Sequence, residues 1–419
     1  MNEKQTKQAF EYAKDRYAAI GVNVLSAMER VDMLAVSMHC WQGDDVLGFD
    51  GTGELTGGIA TTGNYPGRAR TPEELRADID MAMTLIPGKT KLNLHACYAE
   101  KNGKKVDRDA YTVSEFQSWI DWAKGKGVGL DFNPTFFSHP MMDENFSLAS
   151  RKDAVRRFWI EHGKRCREIG EAIGKALGTP CVVNYWMPDG FKDTCVNTAY
   201  YRDLMTKSLD EIFSVPVDER FAPCAIESKL FGVGVESYTV ASHEYALGYA
   251  IRNKKLYTLD AGHFHPTEHI SAKISAVLMS LEKVLLHVSR GVRWDSDHVI
   301  TWDDELQRIM DEILFNNYDK RVYIGLDYFD ASINRIAAWA IGMRNARKAI
   351  LSAALAPLER MKKAEADEDY ALRLALLEER KTMPIGVIWE YYCMTRGVPA
   401  GQEWIERVQA YERDVLSKR

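Results

Sequence analysis

Five of the ten histidines in this chain fall between positions 263 and 298, and Asp260, Asp295 and Asp297 lie in or beside the same stretch. Imidazoles mixed with carboxylates suit a cation such as Mn²⁺, Co²⁺ or Zn²⁺ better than a thiolate-seeking metal. Leu259-Asp260-Ala261-Gly262-His263-Phe264-His265-Pro266 places an aspartate at the end of an apolar run, then a glycine, then a histidine. His263 and His265 would share a side only on an extended chain. Gly262 and Pro266 predict a bend instead, so only one of the pair is expected as a ligand. Arg293-Trp294-Asp295-Ser296-Asp297-His298 carries carboxylates two residues apart, which share a side of an extended segment and can chelate one cation. Glu227, His287 and Asp327 each stand alone on an apolar stretch, in Ala225-Ile226-Glu227-Ser228-Lys229, Leu285-Leu286-His287-Val288 and Ile324-Gly325-Leu326-Asp327. Ionised carboxylates gathered in one place repel each other and lose hydration, at several kcal/mol per ion. Two divalent cations would leave the set of Glu227, Asp260, Asp295, Asp297 and Asp327 at about −1, within reach of one lysine. Each residue also has a plainer role: an aspartate at a strand end caps the next helix, and His287 or His95 could be an ordinary core histidine. His139, His162, His243, His269 and His298 are expected to be packing residues.

The elements that must position these groups follow a recurring unit, a short apolar run ending in a polar residue and then a helical stretch. The runs are 33–39, 92–98, 128–132, 181–186, 224–227, 256–260, 284–288 and 322–327. Their lengths and content are those of parallel strands covered on both faces. Helices are expected at 114–124, 151–177, 239–253, 267–281, 303–315 and 332–353, and Thr71-Pro72-Glu73-Glu74 reads as a helix start with Thr71 as cap. Polar residues close the runs: His39, His95, Asp131, Asn184, Glu227, Asp260, His287 and Asp327. Eight strand–helix units with chemistry at the same end of each strand predict a (β/α)₈ barrel, with an open doubly wound sheet as the alternative. The expected organisation is an N-terminal helical extension over 1–30, the barrel over 31–353, and a C-terminal helical extension over 354–419. One helix is expected across the first 29 residues, and helices at 365–381, 389–394 and 402–417 in the tail.

The 419 residues are 46% hydrophobic and 27% charged, with a net charge of −6, ordinary values for a globular protein. Nothing here favours coating nucleic acid or anionic lipid. No apolar run approaches the length of a membrane span. The polar N-terminal segment lacks the apolar core of a signal peptide. Seven cysteines, an odd number without a C-x-x-C pair, predict free thiols in a reducing compartment, the cytoplasm. Trp41 and Trp186 end two of the strands, and Phe132, Phe136 and Phe137 surround another strand end; rings so placed could stack on a polyol, while for any one of them hydrophobic packing at the barrel top is the plainer role.

Longer motifs carry a resemblance. Ser37-Met38-His39-Cys40-Trp41-Gln42-Gly43-Asp44-Asp45-Val46, Thr56-Gly57-Gly58-Ile59 with Gly63-Asn64-Tyr65-Pro66-Gly67, Leu130-Asp131-Phe132-Asn133-Pro134, Trp186-Met187-Pro188-Asp189-Gly190, Glu227-Ser228-Lys229-Leu230-Phe231-Gly232 and Leu286-His287-Val288-Ser289-Arg290 stand in turn along the chain. Together with residues 259–266 and 324–332 they resemble the L-rhamnose isomerases, from about residue 10 onward. The resemblance implies an aldose–ketose isomerase on a (β/α)₈ barrel, converting L-rhamnose to L-rhamnulose in a homotetramer. It implies a structural divalent metal, Zn²⁺ or Mn²⁺, held by Glu227, Asp260, His287 and Asp327. It implies a catalytic Mn²⁺ held by His263, Asp295 and Asp297, with Glu227 or Asp260 as bridge. Lys229 matches a lysine near the substrate oxygens, and residues 53–66 match a loop over the pocket. The sugar-facing set is expected to be Trp41, Phe132, Trp186, Asp189 and His263.

Two routes fit such a site. Hydrogen can pass directly from C2 to C1 of the opened sugar while Asp327 or Lys229 helps move a proton between O2 and O1. Alternatively a base removes the C2 proton through an enediol. His95 is the expected ring-opening group. The alternatives in other classes are a metal-dependent keto-sugar 3-epimerase, a phosphodiester-cleaving barrel, disfavoured by the acidic charge, and a non-catalytic sugar-binding protein.

Overall fold

The structure, a computed structural model, describes residues 2–44, 46–51, 63–292 and 297–419. Eight parallel strands close into a barrel: β1 (Val36–His39), β2 (Thr90–His95), β3 (Gly129–Asn133), β4 (Val183–Trp186), β6 (Cys224–Glu227), β8 (Leu256–Asp260), β9 (Val284–Val288) and β10 (Val322–Leu326). The last strand pairs with the first through Val36–Ile324 and Ser37–Gly325. Two short strands, β5 (Gly190–Phe191) and β7 (Tyr238–Thr239), form a separate antiparallel pair. The expected barrel is therefore the observed one. The runs at 224–227, 256–260 and 284–288 match their strands residue for residue.

Helices α3 (Pro72–Met83), α4 (Gln117–Lys126), α5 (Asp153–Leu177), α6 (Thr198–Phe213), α7 (His243–Arg252), α8 (Ser271–Leu278), α9 (Asp304–Phe315) and α10 (Arg335–Ala354) surround the sheet. Thr71 caps α3 as expected, its Oγ1 accepting the Glu74 N–H at 3.3 Å. The N-terminal stretch departs from the single expected helix. It breaks into α1 (Glu3–Ala18) and α2 (Val24–Met33) at Gly21, whose φ of +82° ends the first helix, and Asn23 caps the second. The tail likewise splits the expected 365–381 helix into α11 (Leu358–Ala366) and α12 (Tyr370–Glu379), with Glu368 in the left-handed region and Asp369 as cap. α13 (Ile385–Thr395) and α14 (Glu403–Asp414) complete it. Phe10 of α1 stacks on Tyr391 of α13 at 3.6 Å, so the two terminal regions pack on each other. Buried Arg344 of α10 donates to the carbonyls of Leu85 and Pro399, fastening the tail to the barrel.

Side-chain parity decides what reaches the barrel axis, because successive residues of a strand face opposite sides. Val182, Ala225 and Leu285, with Leu256 and Tyr323, form a small apolar cluster of their own, separate from the main core. Two residues further along the same strands stand Asn184, Glu227, Thr258, His287 and Gly325. The apolar cluster thus plugs the interior below, and the polar groups point into the interior at the carboxyl ends. Main-core residues of the opposite parity pack outward against the helices.

Candidate metal centre

Glu227 on β6, Asp260 on β8, His287 on β9 and Asp327 just past β10 offer ligand atoms that all lie within 4.8 Å of one another. His287 Nδ1 is 3.3 Å from Glu227 Oε1, 3.7 Å from Asp260 Oδ2 and 3.3 Å from Asp327 Oδ2. Strand register brings them together: Asp260 pairs with His287 across β8–β9, and Gly325 with His287 across β9–β10. Gly325 has no side chain to crowd the ring; a Cβ there would stand 3.2 Å from His287 Cδ2.

Each carboxylate is held through one oxygen and presents the other. Glu227 Oε2 accepts from Asn184 Nδ2, and Asn184 Oδ1 accepts from Thr258 Oγ1 at 2.7 Å. Asp260 Oδ1 accepts the Gly262 N–H at 2.6 Å, and Asp327 Oδ1 accepts the Trp41 indole N–H at 3.0 Å. The three remaining oxygens converge on the His287 imidazole. His287 Nε2 is buried with no hydrogen-bond partner. The three carboxylates are oriented by outer partners as the ligands of a preformed cation site are, and oxygen plus imidazole suits a divalent ion. The electrostatics agree. Burial raises Asp260 to about 7. Burial also works to raise Asp327, but the hydrogen bond and charge of His287 outweigh it and hold that carboxyl at about 2. Burial would lower His287, yet the Glu227 charge and the surrounding carboxylates draw it well above its ordinary value. The cluster attracts positive charge strongly enough to hold a proton on a buried imidazole, and a divalent cation meets the same demand.

Around this cluster stands an aromatic belt. Trp41 meets His95 edge-on at 4.9 Å, His95 meets Phe137 at 5.7 Å, and Phe137 meets Trp186 at 5.3 Å. Lys229, buried two residues beyond Glu227, places its ammonium 4.9 Å from the Trp186 ring. His95 Nδ1 lies 3.2 Å from Thr135 Oγ1, and burial lowers the ring to about 3, so it is neutral at physiological pH. Buried Arg108 supports the belt from behind: it pairs with Asp50 at 2.7 Å and donates to the carbonyls of Thr135 and Phe137.

The other expected site residues fall as follows. His263 ends the 3₁₀ turn Ala261–His263, and its Nδ1 lies 3.6 Å from Glu227 Oε1. His265 is exposed, whereas His263 is buried beside Glu227. Asp295 lies outside the described residues, as does most of the 53–66 loop. Asp297 has a left-handed backbone (φ +44°) where an extended one was expected, and among the described residues it does not join the group of four. Phe132 departs from expectation: it is fully buried and packs edge-on against Phe116 at 4.9 Å. Its neighbours Asp131 and Asn133 take the inward parity, so Phe132 points outward and Phe137 forms the aromatic wall. Asp189 also departs. Its carboxylate is buried and accepts from Ser147 N, Ser147 Oγ and Ala149 N, which makes it an anchor for that loop. Asp131 is consumed by an ion pair with Lys91 inside the barrel.

Comparison with known proteins resolves the class. The L-rhamnose isomerase (RhaA) family model matches residues 4–419. The chain belongs to the L-rhamnose isomerase family. An L-rhamnose isomerase of Rhodopirellula baltica is 55% identical over 414 residues, covering 99% of this chain and 97% of that protein. That of Citrobacter koseri is 53% identical over 416 residues, covering 99% of each. Among solved structures, D-psicose 3-epimerase from Clostridium cellulolyticum H10, crystallised with D-tagatose, aligns with a TM-score of 0.47 at 11% identity, over 76% of this chain and 97% of that one. The buried cluster is the candidate metal centre of this family member, and the aromatic belt stands beside it.

Proposed function

We propose that the chain interconverts L-rhamnose and L-rhamnulose in the pocket bounded by the four-residue cluster, Lys229 and the aromatic belt. The observation that carries this reading is the convergence of three anchored carboxylates and one imidazole at the carboxyl ends of barrel strands, where barrel enzymes collect their chemistry. In this reading Glu227, Asp260, His287 and Asp327 hold a structural divalent ion. Mn²⁺ at a second position would be held by His263, Asp295 and Asp297, with Glu227 or Asp260 shared. Bound there, a divalent cation supplies Lewis acidity toward the hydroxyl and carbonyl oxygens of the opened sugar. The side chains do the rest. Trp41, Phe137 and Trp186 offer faces and edges to the C–H bonds of the sugar and exclude water. The neutral His95 donates or accepts the ring-opening proton. Lys229, its ammonium fixed beside Trp186, steadies negative charge growing on O1 or O2, and it or Asp327 relays the proton between those oxygens. Hydrogen then moves from C2 to C1 within the substrate.

The chain is proposed to act as a homotetramer in the cytoplasm. Apolar residues left exposed, including Tyr370, Leu372 and Leu374 on α12, Met279 and Val196, support assembly. Seven free cysteines, six of them buried, support a reducing setting. No helix of the described residues is long and apolar enough to cross a membrane.

The test is an isomerisation assay in D₂O with L-rhamnose and added Mn²⁺, before and after chelation. Ketose formation that chelator abolishes and Mn²⁺ restores, with little solvent deuterium at C1, is expected. Activity indifferent to chelation would overturn the metal reading, and substantial deuterium at C1 would overturn the direct transfer.

A further inference from the structure

His243, the first residue of α7, reaches across to both arms of the proposed site. Its Nε2 lies 2.7 Å from the His263 carbonyl oxygen. Its Nδ1 lies 2.9 Å from Ser228 Oγ and 2.8 Å from the Tyr257 hydroxyl. A carbonyl only accepts, so Nε2 carries the proton and the single lone pair of Nδ1 accepts from the hydroxyl pair of Ser228 and Tyr257, which also hydrogen-bond each other. Burial holds the ring below its ordinary value and so keeps it neutral. The ring is also stacked on Phe264 at 4.0 Å and 13°, which fixes its plane. Ser228 sits between Glu227 and Lys229, and Phe264 follows His263. One imidazole therefore spans from the end of β6 to the turn after β8.

We propose that His243 is a positioning residue that sets the spacing of Lys229 and His263 about Glu227. The reason is geometric. The turn Ala261–His263 and the segment after β6 lie beyond the strand ladder, so strand pairing does not hold them to each other. The Lys229 N–H bond to the Ala241 carbonyl at 2.8 Å and the Thr239 Oγ1 bonds to the Lys229 and Leu230 carbonyls hold the segment after β6, and the His243 ring adds a polar tie from α7 to both that segment and the His263 turn. Without it, the His263 carbonyl loses that donor and the Ser228–Tyr257 hydroxyl pair loses its imidazole acceptor, which loosens the 3.6 Å approach of His263 to Glu227. In this role His243 need touch neither the sugar nor a cation. It rests on the function proposed above only in taking Lys229 and His263 as working groups.

The test uses the full-length chain and three variants, His243→Phe, His243→Gln and Ser228→Ala. Phenylalanine keeps the stack on Phe264 and deletes both polar ties; glutamine restores a donor toward the His263 carbonyl. Mn²⁺ affinity, kcat, KM for L-rhamnose and melting temperature are measured for each. His243→Phe is expected to lose about tenfold to 100-fold in Mn²⁺ affinity or kcat, the usual cost of an outer partner. KM should change much less, and glutamine should recover part of the loss. The second readout is independent of metal and turnover. In a chelated, ¹⁵N-histidine-labelled chain, His243→Phe should shift the His263 ring signals and leave those of His162 in place. A variant that only melts lower, with Mn²⁺ affinity, kcat and the His263 signals unchanged, overturns the proposal. Should the unaltered chain neither bind Mn²⁺ nor isomerise the sugar, the function above fails instead, and the His263 signals alone decide the positioning role.

Discussion

At Asp189 a single carboxylate holds a loop together, which sequence alone did not reveal. The residue lies in a motif rich in site residues, and an aspartate beside Trp186 reads naturally as a sugar ligand. What decides its role is tertiary: Ser147 and Ala149, some forty positions away, deliver two backbone N–H groups and a hydroxyl to it. Burial raises this carboxyl to about 6 despite those bonds. A carboxyl raised in the folded state favours folding most below its unfolded value, near 4, and that contribution is lost as pH climbs through about 6. Asparagine does not titrate, yet its oxygen can accept the two N–H bonds and its amide can donate to Ser147 Oγ. Asp189→Asn should therefore gain on the parent chain by roughly 2–3 kcal/mol between pH 4 and pH 7, the equivalent of about two pKa units. Urea unfolding of both chains across that range measures it. A parallel pair of stability curves would show that the carboxyl is not raised, and a large rise in KM would return Asp189 to the sugar-facing set.

The strands were legible because a buried parallel strand has a simple signature, a short apolar run with a turn at its end. Positions of Glu227, Asp260 and His287 followed directly. Parity was less legible: nothing local says whether Phe132 or its neighbours point inward, and tertiary contacts show it, the Asn133–Asn93 hydrogen bond and the Lys91–Asp131 pair on one side and Phe116 against Phe132 on the other. Helix ends were missed at Gly21 and Glu368, where one left-handed residue breaks an otherwise continuous pattern. The anchors of the metal centre were visible only as polar strand ends, as with Asn184, or not at all, as with Thr258. The Asn184 strand, β4, is placed by α5 behind it. Gly170 of α5 comes so close to β4 that a Cβ there would stand 2.3 Å from Val183 Cγ2. Valine is stiff at χ1, so the strand or the helix must yield. Gly170→Ala should cost about 1–3 kcal/mol by overpacking. Because Val183 precedes Asn184, which holds Glu227, it should also weaken Mn²⁺ binding. Thermal unfolding together with a metal titration checks both, and a stable variant with altered binding, or the reverse, would separate α5 packing from the site.

Across the whole molecule, the tail after residue 354 is tied to the rim of the pocket. Asp78 on α3 is fully buried, accepting from the Tyr411 hydroxyl at 2.7 Å and from the Arg419 guanidinium at 2.7 and 2.9 Å. Glu412 of α14 accepts from Asn334, the cap of α10, at 2.7 Å, and hydrogen bonds Tyr65. The Tyr65 N–H in turn donates to the Ala331 carbonyl at 2.7 Å, and Gln42 donates to the Asp330 carbonyl at 2.6 Å while its Oε1 lies 3.0 Å from His39 Nε2. The last helix thus braces the loop after β10, a few residues past Asp327. Removing one partner of a buried pair leaves the other charge uncompensated and costs about 3–5 kcal/mol. Asp78→Ala should lower stability by that order and expose the tail to limited proteolysis. Glu412→Gln, which keeps the shape and part of the hydrogen bonding, should leave stability nearly unchanged while lowering kcat/KM a few-fold, because the brace acts on the loop and not on the core. If clipping of the tail in Asp78→Ala leaves kcat/KM at the level of the parent chain, the extension is an independent appendage and the bracing is wrong. If activity falls in step with clipping, the helical tail is part of what holds the pocket in shape.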